Sequence, residues 1–200
     1  MKLYYSPGAC SQAPHIVLYE SGLKFEIEKV DLVTKRLPDG ADYLAIAPKG
    51  AVPAITLEDG SILTEGAAVL QYIADQVPGE HLIPAWGSLA RYRTMEWLNW
   101  LASELHKSFV PLFHPTGEPR AQAIAEVEAK LDYANGAIGA GPWLQGETRT
   151  VADHYLFVIL GWTRPFHIDL VRWPALQNLQ ALMRQRPAVK AALHAEGFAA

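Results

Sequence analysis

Four places in this chain combine residue types and spacing that can do chemistry. The first is Cys10, the one cysteine among 200 residues, in the stretch "YSPGACSQAPHI" where an apparent strand gives way to a helix. The start of a helix carries about half a positive charge and several unpaired N–H groups. A thiol at such a position falls from its ordinary pKa of about 8.5 into a range of about 3.5–7.5. Each unit of that lowering needs about 1.4 kcal/mol of preference for the thiolate. The same residue can also be inert, packed as a small hydrophobe. Position 13 is Ala, so there is no Cys-x-x-Cys pair. Disulfide chemistry here must take its second thiol from a small molecule.

The second place is Val52-Pro53 in "GAVPAI". Proline pushes the preceding residue extended and gives no N–H of its own, so Val52 can offer its backbone to an extended, peptide-like ligand. An ordinary proline at the start of a strand reads the same way. The third is Glu65-Gly66 in "LTEGAAVLQYIA", at another helix start. The carboxylate can hold an ammonium and the free N–H a carboxylate, which together suit an α-amino acid head group. Glu65 can also be a first-turn acid that only stabilises its helix. The fourth is "WLNWLASELHKSF", where Asn99, Ser103 and His106 follow i, i+4, i+7 spacing, with Lys107 beside them. Such a stripe is either the wet face of a helix or, flanked by Trp97 and Trp100, the lining of a cleft. Leu98, Leu101, Leu105, Phe109 and Leu112 form the apolar side. Lys35, in an irregular stretch, reads by itself as a surface lysine.

The elements that must position these residues fall into two halves. "KLYY" reads as a strand, Ser11–Ser21 as a helix closed by Gly22, and "FEIEKV" as an alternating strand. "VPAITLEDGSILTE" reads as two strands around Asp59-Gly60, and "GAAVLQYIADQV" as a helix. A β-α-β unit followed by β-β-α builds a four-stranded mixed sheet covered by helices. Residues 77–87, "VPGEHLIPAWG", are rich in Pro and Gly. After them only helical stretches follow, one opened by the capping box Thr150-Val-Ala-Asp153. The expected division is an α/β domain over 1–80, a linker over 81–87 and an all-α domain over 88–200.

A net charge of −4, from 17 basic and 21 acidic residues, gives no reason to expect nucleic acid or an anionic membrane as partner. No apolar run reaches the length of a membrane span, the N-terminus has no apolar leader, and one cysteine fits a reducing compartment. The expectation is a soluble cytoplasmic protein. The seven histidines, at 15, 81, 106, 114, 154, 167 and 194, lack the paired spacing of a zinc site, so no metal is expected.

Taken in order, "KLYYSPGACS", "APKGAVPA", "LTEGAAVLQYIAD", "EWLNW", "ELHKSF" and "TVADHYLFV" resemble the bacterial glutathione S-transferases of the beta class. The resemblance implies a thioredoxin-like N-terminal domain, a helical C-terminal domain, and a homodimer with its active site between domains. It implies that Cys10 faces the glutathione sulfur and forms a mixed disulfide with it, with His106 and Ser11 shaping the sulfur site. Val52 would pair with the cysteinyl part of the tripeptide, beside a cis Pro53. Glu65 and Gly66 would clamp the γ-glutamyl group with help from Asn99 of the partner subunit. Lys35 would meet the glycyl carboxylate, and Ser103 and Lys107 would line the same cleft. His114, Trp162 and Phe166 are the candidates for the electrophile pocket. Ala47 and Ala51 stand where Asn and Gln are frequent in the family.

The expected activity is conjugation of glutathione thiolate to small hydrophobic electrophiles in detoxification, with thiol–disulfide exchange through Cys10 and a disulfide reductase or peroxidase side activity. Two alternatives stand beside it: a glutathione-dependent reductive dehalogenase of an aromatic-degradation pathway, and a non-catalytic glutathione-binding scaffold.

Overall fold

A computed structural model of the chain describes residues 1–114, 117 and 119–198. The chain forms two compact units, one of Met1–Leu82 with the stretch from Arg186 onward, the other Ile83–Gln185.

In the first unit, strands β1 (Lys2–Tyr5), β2 (Glu26–Lys29), β3 (Ala54–Thr56) and β4 (Ile62–Thr64) form one sheet in the order β2-β1-β3-β4. β1 and β2 are parallel, with Leu3 opposite Ile27, and α1 (Gln12–Ser21) makes the crossover such a pair requires. β1–β3 and β3–β4 are antiparallel, with Leu3 opposite Ile55 and Ile55 opposite Leu63. The inner strands carry the apolar runs: Leu3, Tyr4, Tyr5, Ala54 and Ile55 are all buried, whereas the edge strands are partly exposed. This is the mixed, thioredoxin-like arrangement expected from the sequence.

α1 starts with Pro14 inside its first turn, where a missing N–H costs nothing, and ends at Gly22 in the left-handed region (φ 68°). It packs against α2 (Gly66–Asp75) on one side and α9 (Pro187–Ala195) on another. Burial on both sides explains why every residue from Gln12 to Leu18 is buried.

α9 was not foreseen, and its position departs from the expected division, which placed residues 186–200 with the helical domain. The cause is a buried carboxylate. Glu196, just past α9, accepts hydrogen bonds from the Gly8 N–H (2.9 Å), Gln12 Nε2 (2.9 Å) and His15 Nδ1 (2.8 Å). Arg186, at the start of α9, pairs with Glu20 of α1.

The second unit is helical: α3 (Leu89–Trp100), a π-helical turn (Leu101–Leu105), α4 (His106–Ser108), α5 (Val110–Phe113), α6 (Arg120–Ile138), α7 (Val151–Gly161) and α8 (Pro174–Gln185). Leu98, Leu101, Leu105, Phe109 and Leu112 are buried as the spacing predicts. α7 is buried from Val151 to Leu160, the mark of a helix surrounded by others. Its N-terminus has the predicted capping box, in which Asp153 accepts from the Thr150 N–H (2.7 Å) and the Thr150 hydroxyl accepts from the Ala152 N–H (3.3 Å). Among the described residues no helix is long and apolar enough to cross a membrane.

Candidate functional site

The antiparallel register that sets Tyr4 opposite Ala54 also carries the residues after β1 alongside those before β3. Cys10 thereby reaches Val52: its thiol donates to the Val52 carbonyl oxygen at 3.2 Å, and the residue is half-buried. Cys10 lies in the turn just ahead of α1, with its carbonyl accepting from the Ala13 N–H at 3.2 Å.

Two contacts shape that turn. Gly8 has φ +71°, and a Cβ there would come within 3.0 Å of the Phe198 ring, so position 8 suits glycine twice over. Ser11 is fully buried, and its hydroxyl accepts from the Ser6 N–H (3.1 Å) and donates to the Ser6 carbonyl (3.3 Å). Both hydrogen bonds tie the Ser11 hydroxyl to Ser6 and close the turn that carries Cys10.

The Val52–Pro53 peptide bond is cis. Tyr43 fixes the backbone just before it: the ring is fully buried and its hydroxyl donates to the Ala51 carbonyl at 2.8 Å. Burial pushes the Tyr43 hydroxyl up to about 12, so it remains a donor at any ordinary pH. Lys35, at φ +57°, donates from Nζ to the Gly50 carbonyl at 2.7 Å, which places it beside the same backbone. Ala47 is buried in the small core of Tyr4, Val30, Tyr43, Val52 and Ala54, a place with no use for a polar side chain.

Glu65 precedes α2 at φ +74°, with Gly66 as the first residue of the helix. Its carboxylate already holds an ammonium, that of Lys49, at 2.6 Å. Sequence reading missed Lys49, whose partner lies 16 residues away. The pair is largely exposed, at 59% and 67% of the two side chains, and such pairs contribute about 0.2–1 kcal/mol. An incoming ligand ammonium would compete with Lys49 for Glu65. Lys49→Met is therefore expected to lower the KM for an α-amino acid-headed ligand by up to about fivefold. A KM that stays the same or rises would show that Lys49 does not compete.

In the second unit the expected polar stripe is altered. The His106 N–H bonds to the Leu101 carbonyl, five residues back, so the regular helical period fails between Leu101 and Leu105. In a 3.6-residue helix His106 would point well away from the buried Leu101. The wider turn brings it round toward that buried side. There Nδ1 lies 2.7 Å from the Tyr155 hydroxyl, and the ring packs on Trp162 at 4.7 Å. Burial, and then the charge of Lys107, lower the His106 pKa to about 4, so the imidazole is neutral at pH 7.

Asn99, Ser103 and Lys107 are exposed, and the Ser103 hydroxyl donates to the Asn99 carbonyl at 2.9 Å. Trp97 and Trp100 pack with Tyr133 of α6 (5.9 and 4.9 Å).

Of the three electrophile-pocket candidates, Trp162 and Phe166 fall in one aromatic cluster. Phe113 links them, 5.6 Å from Trp162 and 5.0 Å from Phe166, and Phe109 lies beneath. Phe113 is 45% exposed, the part of the cluster most open to a ligand. His114 is exposed and, among the described residues, makes no ring contact with the cluster. A depression of about 440 Å³ lined by Arg164, His167, Gln180 and Arg184 contains none of the candidate residues.

Residues 8–76 match the family model for the glutathione S-transferase N-terminal domain. The whole chain is similar to the glutathione S-transferase GstA of Escherichia coli O157:H7, at 47% identity over 99% of this chain and all of that protein. Among solved structures, a sphingomonad glutathione S-transferase complexed with glutathione is 48% identical, covers both chains fully and superposes with a TM-score of 0.95. The bacterial beta class glutathione S-transferase of Sphingomonas chungbukensis is 46% identical over 98% of this chain and 99% of its own, with a TM-score of 0.94. With the Cys10 turn, the Val52–Pro53 backbone and the Glu65 helix start all in place, this chain belongs to the glutathione S-transferases and groups with their beta class.

Proposed function

We propose that this protein is a glutathione transferase that conjugates glutathione to small electrophiles and exchanges disulfides through Cys10. The observation that carries the reading is the Cys10 thiol held at 3.2 Å from the Val52 carbonyl, beside backbone suited to an extended peptide. The glutathione bound to the sphingomonad relative supports the choice of ligand.

In this reading Val52 pairs with the cysteinyl residue. Glu65 takes the γ-glutamyl ammonium, now mimicked by Lys49, and the Gly66 N–H takes the α-carboxylate. Lys35 serves the glycyl carboxylate. Asn99 of the partner subunit, Ser103, Lys107 and His106 belong to the same machinery. The aromatic cluster of Phe113, Trp162 and Phe166 receives the electrophile.

In conjugation the glutathione thiolate attacks an electrophilic carbon, a carbon–sulfur bond forms, and the leaving group departs with the electron pair. In exchange the Cys10 thiolate attacks a glutathione mixed disulfide. A Cys10–glutathione disulfide forms, and the other thiol leaves and takes up a proton. A second glutathione thiolate then attacks the glutathione sulfur of that disulfide, releasing oxidised glutathione and restoring Cys10. One glutathione and one mixed disulfide give one free thiol and one oxidised glutathione.

The test is an assay of the purified protein with glutathione, a generic aryl halide and a small mixed disulfide. Glutathione-dependent turnover of both is expected. Binding of glutathione with no turnover of either would leave a scaffold protein instead.

A further inference from the structure

We propose that the depression between the end of α7 and α8 is a second ligand site, which takes a small phosphate monoester through Arg164 and Arg184. It goes beyond the reading above, because none of the residues assigned there to glutathione or the electrophile lines it. Its lining, from Leu160 to Arg184, lies within the helical unit. Its volume of about 440 Å³ falls among small-molecule pockets, about 300–1,000 Å³.

The charges point to an anion. Arg93, Arg172 and Arg186 each pair with a carboxylate, that of Glu96, Glu128 and Glu20 respectively. Arg164 and Arg184 do not. Among the described residues the Arg164 side chain has no hydrogen bond or ion pair. Arg184 donates only from Nε, to Gln180 Oε1 at 3.3 Å, and its two Nη groups are left over. Gln180 in turn donates from Nε2 to the Phe157 carbonyl of α7 at 3.5 Å, so Arg184 is tethered on one edge. Asp169 brings a carboxylate to the lining, but its Oδ1 accepts from the Val171 N–H at 3.0 Å and caps a short turn. Among the described lining residues two guanidinium groups therefore stand against one carboxylate.

The walls are built and open. The Thr163 hydroxyl donates to the Leu160 carbonyl (2.8 Å), and the Ile168 N–H donates to the Thr163 carbonyl (3.1 Å). The loop that carries Arg164 is thus tied at both ends. It includes His167 in the left-handed region (φ +61°), a conformation uncommon for a residue with a side chain. Leu160 and Ile168, both buried, give the depression an apolar side. Gly161, the last residue of α7, lines it too, and a Cβ there would meet nothing within 4 Å. Glycine weakens a helix relative to alanine, so the open space is kept at some cost in stability.

The ligand class follows. A phosphate monoester carries about 1.5–2 negative charges at pH 7 and three strong acceptor oxygens, where a carboxylate carries one charge. Guanidinium groups offer paired N–H donors that match phosphate oxygens, and they accept nothing in return. Two unpaired guanidinium groups suit the dianion. The apolar side suits the organic body of the ester.

The experiment titrates phenyl phosphate into full-length 15N-labelled protein, with glutathione present so that the other site is occupied. The Thr163, His167 and Ile168 amide signals are expected to shift and saturate, with a dissociation constant of about 1 mM or tighter. Arg164→Gln and Arg184→Gln should each weaken binding by about tenfold or more. Gly161→Leu should fill the depression and abolish binding. Near-UV circular dichroism checks that the three variants are folded, and the two arginine variants decide the matter if Gly161→Leu is not.

No shift at those amides up to about 10 mM phenyl phosphate would overturn the site. An affinity unchanged in both arginine variants would do the same. Benzoate binding as tightly would overturn the choice of phosphate, and inorganic phosphate binding as tightly would overturn the organic ester. The titration reads no turnover, so a protein inactive toward electrophiles and disulfides defeats the proposed function and leaves this site untouched.

Discussion

Replacing Glu196 by Ala is expected to destabilise the protein by about 3–5 kcal/mol, the cost of removing one member of a buried, hydrogen-bonded charged network. At about 2–4 °C per kcal/mol for a chain of this size, the melting temperature should fall by about 6–20 °C. The carboxylate is fully enclosed, and three donors converge on it: the Gly8 N–H, Gln12 Nε2 and His15 Nδ1. Alanine would leave the buried Gln12 and His15 donors without this acceptor, and each such group costs about 1–3 kcal/mol. Glu196→Gln keeps the shape and one carbonyl oxygen, so it should lose distinctly less. Thermal denaturation of the three proteins checks this. An alanine variant within about 1 kcal/mol of the wild type would mean that water or a shifted side chain satisfies the donors. Because the Gly8 amide belongs to the turn that holds Cys10, the alanine variant should also alkylate at Cys10 at a changed rate while still folded.

Cys10→Ala is expected to reduce glutathione-dependent disulfide reduction to the rate seen without protein, because no other thiol exists in the chain to form the mixed disulfide. Aryl halide conjugation should persist within about tenfold, since the nucleophile there is the glutathione sulfur itself, and tenfold is about 1.4 kcal/mol of transition-state stabilisation. Cys10→Ser refines the comparison. Its hydroxyl can still donate to the Val52 carbonyl, as the thiol does at 3.2 Å, but it forms no disulfide. If serine restores what alanine loses in conjugation, the contact with Val52 matters to the shape of the site. If disulfide reduction survives in both variants, Cys10 is a bystander and the exchange half of the proposed function is wrong.

What was legible in the sequence was local. Gly22 marked the end of α1, Asp59-Gly60 marked the β3–β4 hairpin, and Thr150 with Asp153 marked the start of α7, because in each case the signal and the structure lie within a few residues. The leucines from Leu98 to Leu112 declared their burial through spacing alone. The rest depended on partners distant in sequence. Nothing near Tyr155 announces that its hydroxyl meets a histidine 49 residues earlier, and nothing near Glu196 announces Gly8, 188 residues away. The i, i+4, i+7 reading of Asn99, Ser103 and His106 assumed a constant period. A change from four-residue to five-residue hydrogen bonding leaves apolar residues in the core and so hides from hydrophobic patterning. Nor does any residue type between positions 6 and 11 announce that the Ser11 hydroxyl is held by Ser6 in both directions.

The return of the chain from Arg186 onward to the first unit has a consequence for synthesis on the ribosome. Domains generally fold as they emerge, N-terminal first, but here the first unit is discontinuous, with the whole of Ile83–Gln185 interposed. At about 5–20 residues per second, that interval delays the last piece by roughly 5–20 s. Throughout it, α1 lacks the cover of α9, His15 and Gln12 lack their carboxylate, and the Gly8 amide has no Glu196 to bond. The nascent chain therefore displays its cysteine in an unfinished turn until the stretch after Arg186 has been made, and the thiol takes up its final surroundings only then.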